Sequence, residues 1–216
     1  MTALLAPGDA LAESQRLIAA LERQRSELPF ADDILAMHRP THADLERSSE
    51  LSDGAVEAWR AALAQRWECE VAGRRLYKQV VRQLIEHYGD AAPEVQLLSR
   101  GEAEVNSTPA ELLHDLRRLQ AALDLGIAAL PFAPERLSEV ERACTALEAA
   151  IDEANSCEAQ RRTAALDRRM AQEAYRRARA TTRRALLEHY GGHMVGEFPL
   201  ISKKFRRLAV HLDVDE

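Results

Sequence analysis

Apolar residues recur at three- and four-residue spacings over long stretches of this chain, with charged residues between them, which is the period of amphipathic helices. From 59 to 88, Trp59, Leu63, Trp67, Tyr77, Val81, Leu84 and Tyr88 fall on one face at 100° per residue. That face is expected to be buried, Trp67 included.

The punctuation between periodic stretches predicts three helices in each half of the chain. In the first half they run from about 9 to 27, 41 to 51 and 54 to 88. Leu28-Pro29-Phe30-Ala31 makes the first turn, because proline cannot continue a helix and biases its predecessor away from helical angles. Ser52-Asp53-Gly54 has turn-forming residues, and Gly89 suits a left-handed helix stop. In the second half the helices are expected near 107–129, 134–154 and 156–190. Thr108-Pro109-Ala110-Glu111 opens the first of them as a polar cap followed by proline. Asn155-Ser156 suggests a break before the last. Residues 135–190 contain neither Gly nor Pro, so one continuous helix is the alternative to that break.

The two halves repeat at an offset of 102 residues. Arg16-Leu17 and Ala19-Ala20-Leu21 recur as Arg118-Leu119 and Ala121-Ala122-Leu123, and Leu28-Pro29-Phe30-Ala31 as Leu130-Pro131-Phe132-Ala133. Glu86-His87-Tyr88-Gly89 recurs as Glu188-His189-Tyr190-Gly191. Three blocks in one register point to a tandem duplication. The expected fold is therefore all-α: an antiparallel bundle of two repeats, 1–106 and 107–216, related by a pseudo-twofold and packed as one unit. The second repeat ends in a short tail with basic and acidic residues.

Composition supports that class. The 216 residues are 30% charged and 5% aromatic, with nine Gly and eight Pro. The formal net charge of -6 gives no general attraction to nucleic acid or to an anionic membrane. Three cysteines without CxxC spacing fit neither a zinc ribbon nor a disulfide framework. The first residues lack the basic and apolar regions of a signal peptide, and no apolar run reaches eighteen residues. A cytoplasmic protein without membrane segments is expected.

Few residues nominate chemistry. The duplicated His87 and His189 each follow a glutamate, but adjacent residues point about 100° apart on a helix. Metal-binding bundles use Glu-x-x-His, which puts both ligands on one face. A histidine in the last turn is also favoured by the helix dipole. His38/His42 and His189/His193 have metal-ligand spacing, yet Pro40 and Gly191-Gly192 interrupt them. His87, His189 and His193 remain the weak metal candidates; no metal and no cofactor is expected.

Arginines gather between 158 and 190, and Arg161, Arg169, Arg176, Arg179 and Arg183 are the candidate binding face. They could follow phosphates or meet carboxylates within the fold, since 134–157 is acidic. No aromatic ladder accompanies them for base stacking. Trp59, Trp67 and Tyr77 align with Arg161, Arg169 and Arg179, so one stripe is aromatic in one copy and cationic in the other. The chain has no Gly-rich phosphate loop, no G-x-S-x-G elbow and no H-E-x-x-H. The sequence thus points to a non-enzymatic interaction or scaffold module with a protein partner, a homodimer being one form of it. A nucleic-acid binder using the arginine face is the alternative, and a His/Glu metalloprotein is a weaker one.

Overall fold

The computed structural model describes residues 7–89, 95, 108–126 and 130–190. Among them there are four long helices and no strand: α1 Pro7–Arg23, α2 Ala31–Tyr88, α3 Pro109–Leu125 and α4 Ala133–Tyr190. At 58 residues each, α2 and α4 are about 87 Å long for a rise of 1.5 Å per residue.

Local chemistry sets the helix ends. The Thr108 hydroxyl accepts the Glu111 amide at 3.3 Å and the Glu111 carboxylate accepts the Thr108 amide at 3.1 Å. This reciprocal box, with Pro109 following it, starts α3. After each Leu-Pro-Phe turn the amide of Ala31 or Ala133 donates to the carbonyl of Leu28 or Leu130, at 3.1 Å in both places. At the end of α2, Gly89 takes a φ of +83° and donates to the Ile85 carbonyl at 2.8 Å. Gly191, expected to do the same for α4, lies outside the described residues.

The expected breaks at Ser52-Asp53-Gly54 and Asn155-Ser156 are absent: α2 and α4 each run through them unbroken, so the described residues form four long helices where six were anticipated along the chain. Their turn-prone residues meet no conflict in a helix. Ser52 is buried, while Asp53, Gly54, Asn155 and Ser156 face solvent, where polar groups stay hydrated. Pro40, which suggested a start near 41, also sits inside α2. Its ring is exposed, and the neighbouring His38 and Leu45 bury the opposite face.

Contacts divide the chain into two compact units, the first comprising residues 1–55 and 161–216 and the second 56–160. Each unit draws on both sequence halves. Unit one holds α1, the beginning of α2 and the end of α4; unit two holds the end of α2, α3 and the beginning of α4. Within unit one the long-helix segments run antiparallel, with His38 against Thr182 and Asp53 against Arg168. Within unit two Ala62 packs with Ala154 and Cys157, and Arg136 donates to Gln83 at 3.0 Å, which is again antiparallel.

Small side chains line the seam between the long helices in each unit: Ala62, Ala154 and Cys157 pack together in unit two, and Ala171 packs beside Leu45 and Tyr175 in unit one. The larger apolar side chains cluster where a third helix is present. In unit two, Leu112, Leu116, Leu119 and Leu123 of α3 pack with Tyr77, Val80, Leu84, Val140 and Leu147. In unit one, Leu17 and Leu21 of α1 pack with Leu28, Ile34, Leu35 and Leu186. Beyond α1 and α3 each unit has a stretch where, among the described residues, only the two long helices meet.

Those stretches correct the expected burial of the aromatic stripe. Leu84 is buried and Trp59, Leu63 and Val81 are half-buried, but Trp67 is 63% exposed. A third helix widens the buried arc around 73–84; at 67 only the narrow seam is covered, and Trp67 lies outside it.

Candidate functional site

Unit one carries a buried polar layer that the sequence pattern did not announce. His38 of α2 and Thr182 of α4 are both 0% exposed, with Nε2 and Oγ1 2.7 Å apart. The Thr182 hydroxyl donates its proton to the Ala178 carbonyl at 3.0 Å, so His38 Nε2–H must be the donor to Oγ1. That assigns the tautomer and leaves Nδ1 as a buried lone pair with no partner. The Tyr175 ring meets the His38 ring edge-on, 6.1 Å between centroids. The Tyr175 hydroxyl and the Ser14 hydroxyl are also buried without partners. Burial lowers the His38 pKa to about 4, so the ring is neutral at pH 7. Burial, then Glu13, raises the Tyr175 pKa. Beside this layer, Glu13 of α1 is 7% exposed and takes an ion pair from Arg179 at 2.9 Å.

The positions 102 residues away in unit two hold different side chains. His38 and Thr182 correspond to Val140 and Val80, both 0% exposed within the core. Tyr175 corresponds to Gly73, and Ala10 and Ser14 to Leu112 and Leu116. A Cβ on Gly73 would stand 3.2 Å from Leu116 Cδ1 and 3.5 Å from Leu112 Cδ2, so the glycine makes room for two leucines. In unit one the small Ala10 packs against Tyr175 and Leu45 instead. The packing density expected of a protein interior is met from opposite sides.

Two of the histidine candidates, His87 and His189, belong to different units. His87 and His189 are exposed in the last turns of α2 and α4. The His189 ring meets Phe30 edge-on at 5.4 Å, and the His87 ring meets Phe132 at 6.3 Å. Each therefore packs on the phenylalanine of a Leu-Pro-Phe turn, a role the sequence reading missed. Glu86 pairs with Arg82 at 3.0 Å. His193 lies outside the described residues. Among the described residues no three His, Cys, Asp or Glu side chains gather as metal ligands.

The arginine face is largely engaged within the fold. Arg179 pairs with Glu13, and Arg176 with Glu173 at 3.2 Å. Arg161 and Arg183 are half-buried and have partners, while Arg169 is exposed. Arg168, which had not been singled out, reaches Asp53 of α2 at 3.2 Å. In unit two, Glu70 is 8% exposed between Arg66 and Arg74, each at 3.2 Å. Buried carboxylates are found paired in this way.

Two of the cysteines, Cys144 and Cys157, are poor nucleophiles. Burial raises the Cys144 pKa, and burial with a bond to Glu153 raises that of Cys157, so both favour the thiol. His38, a strongly perturbed base, is closed to solvent. Among the described residues no helix is long and apolar enough to cross a membrane. No family model, curated protein or solved structure matches the chain.

Proposed function

We propose that this chain is a non-enzymatic helical interaction module made from two copies of one unit, 1–106 and 107–216. Helix boundaries support the duplication: 7 and 109, 23 and 125, 31 and 133, and 88 and 190 all differ by 102. The core follows the same offset. Leu17 and Leu119, Leu21 and Leu123, Leu45 and Leu147, and Leu84 and Leu186 are each at most 4% exposed. The pseudo-twofold between copies belongs to this proposal.

One observation carries the interaction reading. Large apolar side chains stand in solvent where only two helices meet: Leu51, Leu166 and Met170 in unit one at 59%, 61% and 71%, and Trp67 in unit two at 63%. Single exposed apolar residues are ordinary, as Leu125 at the end of α3 is. Yet four of the seven large ones exposed among the described residues lie on the stretches that lack a third helix, as on a partner surface. Small seam residues hold these stretches together without them. A protein partner, a homodimer among the options, and a cytoplasmic setting complete the proposal. The nucleic-acid alternative has less support, because Arg176 and Arg179 pair with carboxylates of unit one and Arg161 and Arg183 are half-buried.

The test is retention of partners from host extract on the immobilised protein, compared with Leu166→Asp/Met170→Asp. The double variant should keep its helical circular dichroism and lose the retained protein. Unchanged retention, or nucleic acid retained in its place, would contradict the reading.

A further inference from the structure

Unit one holds a buried histidine and threonine where unit two has two buried valines, Val140 and Val80. We infer that unit one is an acid-sensitive latch: proton uptake at His38 releases α1, while α3 of unit two stays docked. The argument begins with geometry. His38 is fully enclosed, donates its only N–H to Thr182, and offers an unpartnered lone pair at Nδ1. A proton arriving there makes a full charge and a donor with no acceptor within hydrogen-bond distance.

The groups around it offer little compensation. From α4 come Thr182, whose proton is already given to Ala178, and Tyr175, whose hydroxyl is an unpartnered donor or acceptor. Further along α4, Arg179 adds a positive charge, and it holds Glu13, the buried carboxylate of α1. Ser14 of α1 has a buried hydroxyl without a partner. One turn along α2, His42 is a second titratable ring, half-buried and with its own Nδ1 unpartnered. Burial is the cause that lowers the His38 pKa to about 4, against 6.5 for the free side chain. The docked state therefore binds this proton more weakly than the open state, by about two to three orders of magnitude.

The sign follows. Above pH 6.5 both states are neutral at His38 and the latch has its full strength. As the pH falls from 6.5 towards 4 the open state takes up the proton first, and docking weakens; below 4 the loss is complete. The core around the equivalent Val80 and Val140 has no such proton to bind. Release of α1 would uncover Leu35, Leu45 and Tyr175, which are now buried.

Hydrogen exchange of the full chain, corrected for the intrinsic pH dependence of exchange, reads both units at once. At pH 5 the α1 amides should lose protection by about thirtyfold relative to pH 7.5, with α3 unchanged, from the linkage at these two pKa values. His38→Val/Thr182→Val, which installs the pair found in unit two, should remove the α1-specific loss. His38→Gln, neutral and still a donor, should remove it also and serves if the double variant does not fold. A flat α1 profile in the natural protein, or an unchanged acid response in either folded variant, would overturn the inference.

Discussion

Tyr175 of α4 and Gly73 of α2, 102 positions apart in the sequence, meet the short helices α1 and α3 in opposite ways. Tyr175 is 1% exposed, against Ala10 of α1. Gly73 leaves 3.2 Å between its would-be Cβ and Leu116 of α3. Large on the long helix goes with small on the short one, and the reverse. Truncating Tyr175→Ala should therefore cost unit one roughly 3–5 kcal/mol, the range for a buried aromatic. Exchange of α1 amides measures this, because both tryptophans belong to unit two.

Gly54 within α2 and Gly89 just after it should respond to substitution with opposite signs. Gly54 lies within the helix and a Cβ there meets nothing within 4 Å. Gly54→Ala should stabilise by about 0.5–1 kcal/mol through helix propensity. Gly89 has a φ of +83°, so Gly89→Ala should destabilise by about 1 kcal/mol. Thermal unfolding followed by circular dichroism separates a rise from a fall.

Exposure and burial on unit two divide just as sharply. Trp67 is 63% exposed and Leu119 is 0% exposed. Trp67→Ala should change stability by less than about 1 kcal/mol, whereas Leu119→Ala should cost about 2–5 kcal/mol. Urea unfolding of unit two, with Trp59 as the fluorescent reporter, makes the comparison.

At the helix ends, His87→Gln and His189→Gln should each cost less than about 1 kcal/mol, because only edge contacts with Phe132 and Phe30 and a favourable dipole interaction are lost. Neither substitution should alter the metal content of the purified protein, which elemental analysis would show.

Some of this was legible in the sequence for a local reason. Proline in the Leu-Pro-Phe-Ala turns and the Thr108–Glu111 box act within a few residues, so they mark helix ends wherever they occur. The continuity of α2 through Ser52-Asp53-Gly54 was not legible, since a weak turn preference yields to packing along the whole seam. Trp67 was misplaced because its burial depends on how far α3 extends, a tertiary fact. The His38–Thr182 bond joins residues 144 positions apart. A signal for it did exist: the repeat aligns both with valines, and two apolar positions replaced together by polar ones mark a pair. The packing of His87 and His189 on the two phenylalanines was equally available, since all four belong to the repeated blocks.

The duplication itself is tested most directly by moving one unit's packing solution into the other. Ala10→Leu, Ser14→Leu and Tyr175→Gly together place in unit one the side chains that Leu112, Leu116 and Gly73 supply in unit two. The measurement is the stability of unit one, read from exchange of its α1 amides, in the triple variant and in each single variant. If the two units are copies, the leucines fill the space the tyrosine vacates, and the triple variant should fall within about 1–2 kcal/mol of the natural protein. Each single change should cost more than that. A triple variant destabilised by the sum of its single effects would contradict the account.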